Sequence, residues 1–157
     1  MPDWPAPASV KALSTTRLGG VSVGPYASLN LGAHVGDDPA AVQLNRLQFE
    51  QQAALPATPA WLNQVHGTSV LELSRWHGDI VSADAAFSRQ SGEVCLVMTA
   101  DCLPVLFCNQ QGTQVAAAHA GWRGLAGGGL AHLARLAPRA FFGRSRPAIH
   151  PIGGHPC

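Results

Sequence analysis

The chain has 157 residues and a formal net charge of +1, with 46% hydrophobic and only 12% charged residues. That length makes one domain or part of one, long enough to bury a core without disulfide staples. A near-neutral balance supplies no basic field for nucleic acid or an anionic membrane surface, and no apolar run approaches the roughly 18 residues of a membrane span. Low charge with 17 Gly and 12 Pro argues against a helical bundle or a disordered chain and points to a compact, turn-rich fold of helices and strands.

Residues 1–10 are polar and proline-rich, without the basic start and apolar stretch of a secretory signal. Cys95, Cys102, Cys108 and Cys157 are unevenly spaced and read as free thiols of a reducing cytoplasm. Residues 10–16 form a weakly patterned candidate strand, followed by the glycine-marked turn Arg17-Leu18-Gly19-Gly20. Residues 26–36 read as loop and short strand. Asp37-Asp38-Pro39 is a helix start, with Asp38 as cap and Pro39 in the first turn. Ala40, Leu44, Leu47 and Ala54 then fall near one face of a helix that ends at Leu55-Pro56.

Residues 61–65 and 69–73 are expected to be short strands flanking a turn at His66-Gly67. Residues 82–87 form a loop entering a strand. Residues 94–99 and 103–108 are two apolar runs of strand length, separated by Ala100-Asp101-Cys102. Asn109 to Gly112 is a turn, residues 114–118 a further strand, and His119 stands at its end. Residues 125–137 keep helical spacing, weakened by Gly127 to Gly129. Residues 138–157 carry Arg139, Arg144 and Arg146, no acid and no periodic pattern, so little regular structure is expected there.

His66, Cys102 and His119 carry the chemistry. Each lies at a strand end or in the loop after one, where side chains from separate parts of a sheet converge on one pocket. Two imidazoles and a thiolate make a three-ligand zinc set with a fourth position open, as in catalytic zinc sites. The same residues also suit a metal-free hydrolase with Cys102 as nucleophile and His119 as base. Their spacings of 36 and 17 residues form no local metal signature. Taken singly, a hydrogen-bonded core histidine and an inert buried cysteine are the plainer reading.

Among the other candidates, Cys95 and Cys108 fall inside apolar runs and read as core. His77 and His132 read as surface, and His34, His150 and His155 remain as rival ligands. Arg123 suits a phosphate or carboxylate, or else stacks on Trp122. Asp101 and Asp84 are placed to orient a metal-bound histidine or to work as acid or base, with turn capping as the alternative. Arg17 and Asn30 suit substrate binding or backbone bracing equally. Gln64, two residues before His66, points to the same side of a strand.

The segments TTRLGGVSVGPYASLNLGAHVGDDPAAVQLNR, WLNQVHGTSV, ADAAFS, VCLVMTADCLPVLF and VAAAHAGWRGL, spread over residues 14 to 125, resemble the YfiH-like, or laccase-domain, family. The resemblance implies an α+β fold of mixed β-sheets with flanking helices. It implies a purine nucleoside phosphorylase using zinc, acting on adenosine, inosine and methylthioadenosine, with adenosine deaminase activity. It also implies, as an alternative, a copper polyphenol oxidase. Its metal ligands match His66, Cys102 and His119. Beside them we place Cys102, His119, Asp101 and Arg123 as catalytic, and Arg17, Asn30, Gln64 and Asp84 as substrate-binding. The partners are a purine nucleoside and phosphate, with no nucleic acid and no membrane, and the location is cytoplasmic. Blue copper accepts the same donors, but a multicopper centre needs further clustered histidines and the chain has no His-x-His pair. Zinc nucleoside chemistry therefore ranks first.

The chain departs from the resemblance at its end. Residues 1–137 correspond to a partial catalytic domain, whereas Arg146 to Gly154 resembles a scrambled form of the family's G-P-x-I-G segment. The expectation is an out-of-frame tail over residues 138–157, an incomplete fold with exposed sheet edges, and low stability or a non-catalytic remnant. An unbroken coding frame that natively encodes this tail would sink the frameshift reading.

Overall fold

The structure, a computed structural model, describes residues 6–123. The expected helix over 125–137, His132, His150, His155, Cys157 and the tail over 138–157 lie outside the described residues. The chain divides into two units, one containing residues 14–55 and the other residues 6–13 and 56–123 among those described.

The second of these holds a four-stranded mixed sheet in the order β1-β2-β4-β3. β1 is Val70–Glu72, β2 Ala85–Ser88, β3 Leu103–Cys108 and β4 Val115–Ala120. β1 and β2 run parallel, while β4 is antiparallel to both β2 and β3. The hairpin from β3 to β4 turns at Asn109 to Gly112, where Gly112 adopts φ +68° and its N–H donates to the Asn109 carbonyl at 3.1 Å. The expected α+β class with a mixed sheet is the observed one.

β4 lies inside the sheet and four of its six residues are alanine, a residue of low strand preference. Tertiary packing overrides that preference. Ala116, Ala118 and Ala120 pack with Ala85, Phe87, Val105 and Phe107 in one core cluster. Ala86 joins Leu71, Leu73, Ala60, Leu62 and Ala83 in a second. Cys108 is fully buried, while Cys95 packs against the second cluster from the side. The strand also runs further than expected, so His119 lies within β4 and pairs with Pro104 of β3.

Four segments expected to hold a strand form none. Residues 10–16 form no strand, because most of them are exposed and bury no face. Residues 94–99 form no ladder, and side-chain groups hold them instead. Met98 is gripped by the Gln64 amide, and the Cys95 thiol lies 3.6 Å from the Val115 carbonyl. Over residues 61–65 only a single parallel bridge forms, Asn63 with Ser82. The N–H groups of the following residues go to a carboxylate rather than to a strand. The segment over 26–36 likewise forms no strand; a 3-10 turn spans Gly24–Tyr26 just before it.

In the other unit, α1 is Pro39–Gln52. Asp38 caps it as the sequence predicts, its carboxylate accepting from the Ala40 N–H at 3.0 Å. The expected apolar face is displaced. Val42, Asn45 and Phe49 are the buried residues, while Leu44 and Leu47 are 45% and 49% exposed. The cause is Asn45, which is wholly buried. Its amide nitrogen donates to Ser22 Oγ and to the Ser28 and Asn30 carbonyls, and its oxygen accepts from the Val21 N–H. A polar residue at the centre of the buried face conceals that face from hydrophobic periodicity.

Candidate metal centre

The His66 loop, the residue before β3 and the penultimate residue of β4 bring His66, Cys102 and His119 together. Their ligand atoms all lie within 4.8 Å of one another. The two imidazole rings meet edge to face, with centroids 4.7 Å apart and planes at 79°. His119 is 7% exposed, and His66 and Cys102 are half-buried.

Gly121 forms the wall of this cluster. A Cβ there would stand 3.1 Å from His66 Cδ2, 3.5 Å from Cys102 Sγ and 3.5 Å from His119 Cε1. All three ligand side chains therefore share the space that any other residue at 121 would fill. Sequence reading marks Gly121 as a loop residue without revealing this contact. The only available signal is a glycine two residues after a candidate ligand.

Asp84, 3% exposed, lies behind the cluster. Its Oδ1 accepts from the His66 N–H at 2.8 Å and lies 3.1 Å from His119 Nδ1. Its Oδ2 accepts from the Gly67 N–H at 2.7 Å and the Val65 N–H at 3.3 Å. Three successive backbone N–H groups converging on one anion form a nest. His66, at its centre, has φ +59°, a left-handed conformation costing a non-glycine residue roughly 1–2 kcal/mol. Burial pulls the Asp84 carboxyl toward a higher pKa. The hydrogen bonds from Gly67, His119, His66 and Val65 outweigh it, so the group stays ionised below the usual carboxylate range. An ionised carboxylate only accepts, so Nδ1 of His119 is the donor, and in the neutral ring Nε2 is the nitrogen left with a lone pair.

The donor set fits a metal ion. Zinc bonds of about 2.0–2.1 Å to nitrogen and 2.3 Å to sulfur put tetrahedral donors roughly 3.3–3.7 Å apart, so side-chain rotations of about an ångström would close the set. Cys95, Cys102 and Cys108 are free thiols. Burial pushes the Cys95 thiol up to about 12, with the Glu93 charge adding to the rise, so it is inert beside Cys102. His34 and His77 are exposed and belong to no such cluster among the described residues.

The other expected site residues divide. Gln64 faces Met98, donating to its carbonyl at 2.8 Å and accepting from its N–H at 2.7 Å, which ties the His66 loop to the segment leading into Cys102. Arg123 is exposed, its guanidinium 5.0 Å from the centre of the Trp122 ring, and Asp101 is exposed beside Cys102. Arg17 and Asn30 belong to the other unit. Arg17 donates to the carbonyls of Ala27 and Pro25. Asn30 donates to the Gly32 carbonyl and to Asp37, and accepts from the Gly32 N–H. Both brace their own loop.

Residues 11–150 match the model of the family described as multi-copper polyphenol oxidoreductase laccase. The chain belongs to that family. A relative in Escherichia coli (strain K12), named purine nucleoside phosphorylase YfiH, is 58% identical over 130 residues, which are 83% of this chain and 54% of that protein. A purine nucleoside phosphorylase of Pseudomonas aeruginosa is 57% identical over 129 residues, 82% of this chain and 52% of that protein. The crystal structure of a Neisseria meningitidis family protein, NMB0706, superposes with a TM-score of 0.82 at 56% identity, covering 88% of this chain and 56% of that one. YlmD from Geobacillus stearothermophilus superposes with a TM-score of 0.71 at 36% identity, covering 78% of this chain and 49% of that one. The chain spans about half the length of these relatives.

Proposed function

We propose that the chain carries the zinc centre of a purine nucleoside phosphorylase, with adenosine, inosine or methylthioadenosine and phosphate as substrates and adenosine deamination as a side activity. The observation that carries this reading is the convergence of His66, Cys102 and His119 on the space beside Gly121. When bound, zinc supplies a Lewis acid with an open coordination position. Asp84 accepts from Nδ1 of His119, which would leave Nε2 to hold the ion. Gly121 leaves room for the three donors to close. Arg123, exposed beside Trp122, is the cation we assign to phosphate, through charge-assisted hydrogen bonds. Asp101, exposed one residue before Cys102, is assigned to the proton taken by the leaving purine. Free thiols at the three described cysteines accord with a cytoplasmic location.

Zinc suits two imidazoles and one thiolate with a fourth position open, the arrangement of a catalytic zinc site. The decisive experiment measures zinc content of the purified chain beside phosphate-dependent release of adenine from adenosine. About one zinc per chain with turnover, both lost in His66→Ala, is the expected result. Absence of both would sink the reading. Zinc without turnover would keep the metal centre and remove the activity from this chain.

A second reading has its own observation. Asp84, His119 and Cys102 stand in the order orienting acid, base and nucleophile, which suits a cysteine hydrolase or deamidase. A chelator abolishes the first activity and spares this one.

A further inference from the structure

We propose that Asp84 is a positioning residue that builds two of the three ligands at once: its single carboxylate fixes the tautomer of His119 and holds the turn that presents His66. This rests on the metal-centre reading above and adds to it a device that shapes the site before any ion arrives.

Acceptor capacity defines the role of Asp84. An ionised carboxylate offers about four lone-pair sites. Asp84 has four donors on it: the N–H groups of Val65, His66 and Gly67, and Nδ1 of His119. None is left over for a metal, so Asp84 acts on the ion only through its neighbours. Oδ1 is shared between the backbone of one ligand and the ring of another, at 2.8 and 3.1 Å. Movement of the carboxylate therefore moves both ligands together. The nest of N–H groups exists only while His66 keeps its left-handed φ of +59°, and the carboxylate is what fills it. The main chain of Asp84 is anchored separately, its N–H on the Ser69 carbonyl and its carbonyl on the His119 N–H. A change confined to the side chain leaves those anchors in place.

Asp84→Asn isolates the proposal because it keeps the shape and changes the donors. With the amide oxygen turned toward the Val65 and Gly67 N–H groups, the amide N–H₂ takes the place of Oδ1, faces His119 Nδ1 and leaves the His66 N–H without an acceptor. That nitrogen must then accept, and the ring proton moves to Nε2, the metal-facing atom. A carboxylate that merely stabilised the fold would leave the ring tautomer unchanged in the folded protein.

The test reads the metal-free full chain by ¹H–¹⁵N correlation of the imidazole nitrogens, which distinguishes the two neutral tautomers from the doubly protonated ring. The expected result is a proton on Nδ1 of His119 in the natural chain and on Nε2 in Asp84→Asn, with faster amide exchange at His66 and Gly67. Zinc affinity, measured by competition with a chromophoric chelator, should fall about 10- to 100-fold in the variant. Equal zinc affinity, or a proton on Nε2 in the natural chain, overturns the proposal. If Asp84→Asn does not fold, the tautomer of the natural chain still decides. If the natural chain binds no zinc yet shows the expected tautomers, the metal reading fails while the coupling through Asp84 stands.

Discussion

At the scale of single residues, the space beside Gly121 decides what the site can hold. A methyl group there would press on His66 Cδ2 at 3.1 Å and touch Cys102 and His119 at 3.5 Å. The cost is steric, and it falls on the ligands rather than on the core. Gly121→Ala should therefore weaken zinc binding on the order of tenfold, the range typical of groups that orient metal ligands, while the metal-free melting temperature changes little. Equal zinc affinity in a chelator competition would show that the ligands do not close on this space. His66, Cys102 and His119 were legible in the sequence because metal-ligating residue types stand out beside glycines and strand ends. Asp84 was legible as a group to orient a metal-bound histidine, but its hold on the His66 turn was not, since those N–H groups lie up to 19 residues away and meet it only in the fold. Gln64 illustrates the same limit. Its type and spacing suit a substrate contact, yet its amide is committed to Met98.

At the scale of elements, polar side chains do work that periodicity cannot display. Residues 94–99 read as a strand from their apolar run, but their backbone is held by the Gln64 amide in place of a neighbouring strand. Gln64→Ala should leave the partly buried N–H and C=O of Met98 without these partners and cost about 1–3 kcal/mol. Urea melts measure the loss, and unchanged stability together with unchanged Met98 amide exchange would refute it. In α1 the N-cap at Asp38 was legible because capping is local, whereas the buried face was not, because Asn45 sits at its centre. Asn45→Ala should orphan the Val21 N–H and the Asn30 carbonyl, while the Ser28 carbonyl keeps the Ser22 N–H, so about 2–6 kcal/mol is expected by the same accounting. A loss below about 0.5 kcal/mol, the level of an ordinary surface change, would contradict it. Acid acts on the same loop through Asp37. Hydrogen bonds from Ser22 and then Asn30 hold its carboxyl below the ordinary value of 3.8, against the opposing effect of burial. A depressed folded-state pKa means the contribution is complete above the unfolded value and is lost as pH falls through the folded one. Melting temperature should fall more steeply below pH about 4 in the natural chain than in Asp37→Asn, each relative to its own value at pH about 6. Parallel pH profiles would show that Asp37 carries no linkage.

At the scale of the whole molecule, the three candidate ligands come from three places in the chain: the His66 loop, the entry to β3 and the end of β4. The order of the motifs made the family and the mixed sheet legible, because ordered segments across residues 14–125 constrain topology more tightly than any one element does. A metal bound by ligands so separated links the His66 loop to the β3–β4 hairpin. An ion that binds the folded chain and not the unfolded one stabilises by about 4.1 kcal/mol at a thousandfold excess over Kd. For a domain of this size that corresponds to a rise in melting temperature on the order of 10 °C, less whatever affinity the unfolded thiols and imidazoles retain. Zinc should therefore raise the melting temperature of the natural chain and a chelator should reverse the rise. Cys102→Ala and His119→Ala should melt at one temperature in both conditions, since each removes a donor. A zinc-dependent shift that survives Cys102→Ala would place the ion elsewhere. No shift in the natural chain would leave the Asp84–His119–Cys102 arrangement to be explained as a nucleophile and its base, which needs no metal to hold it.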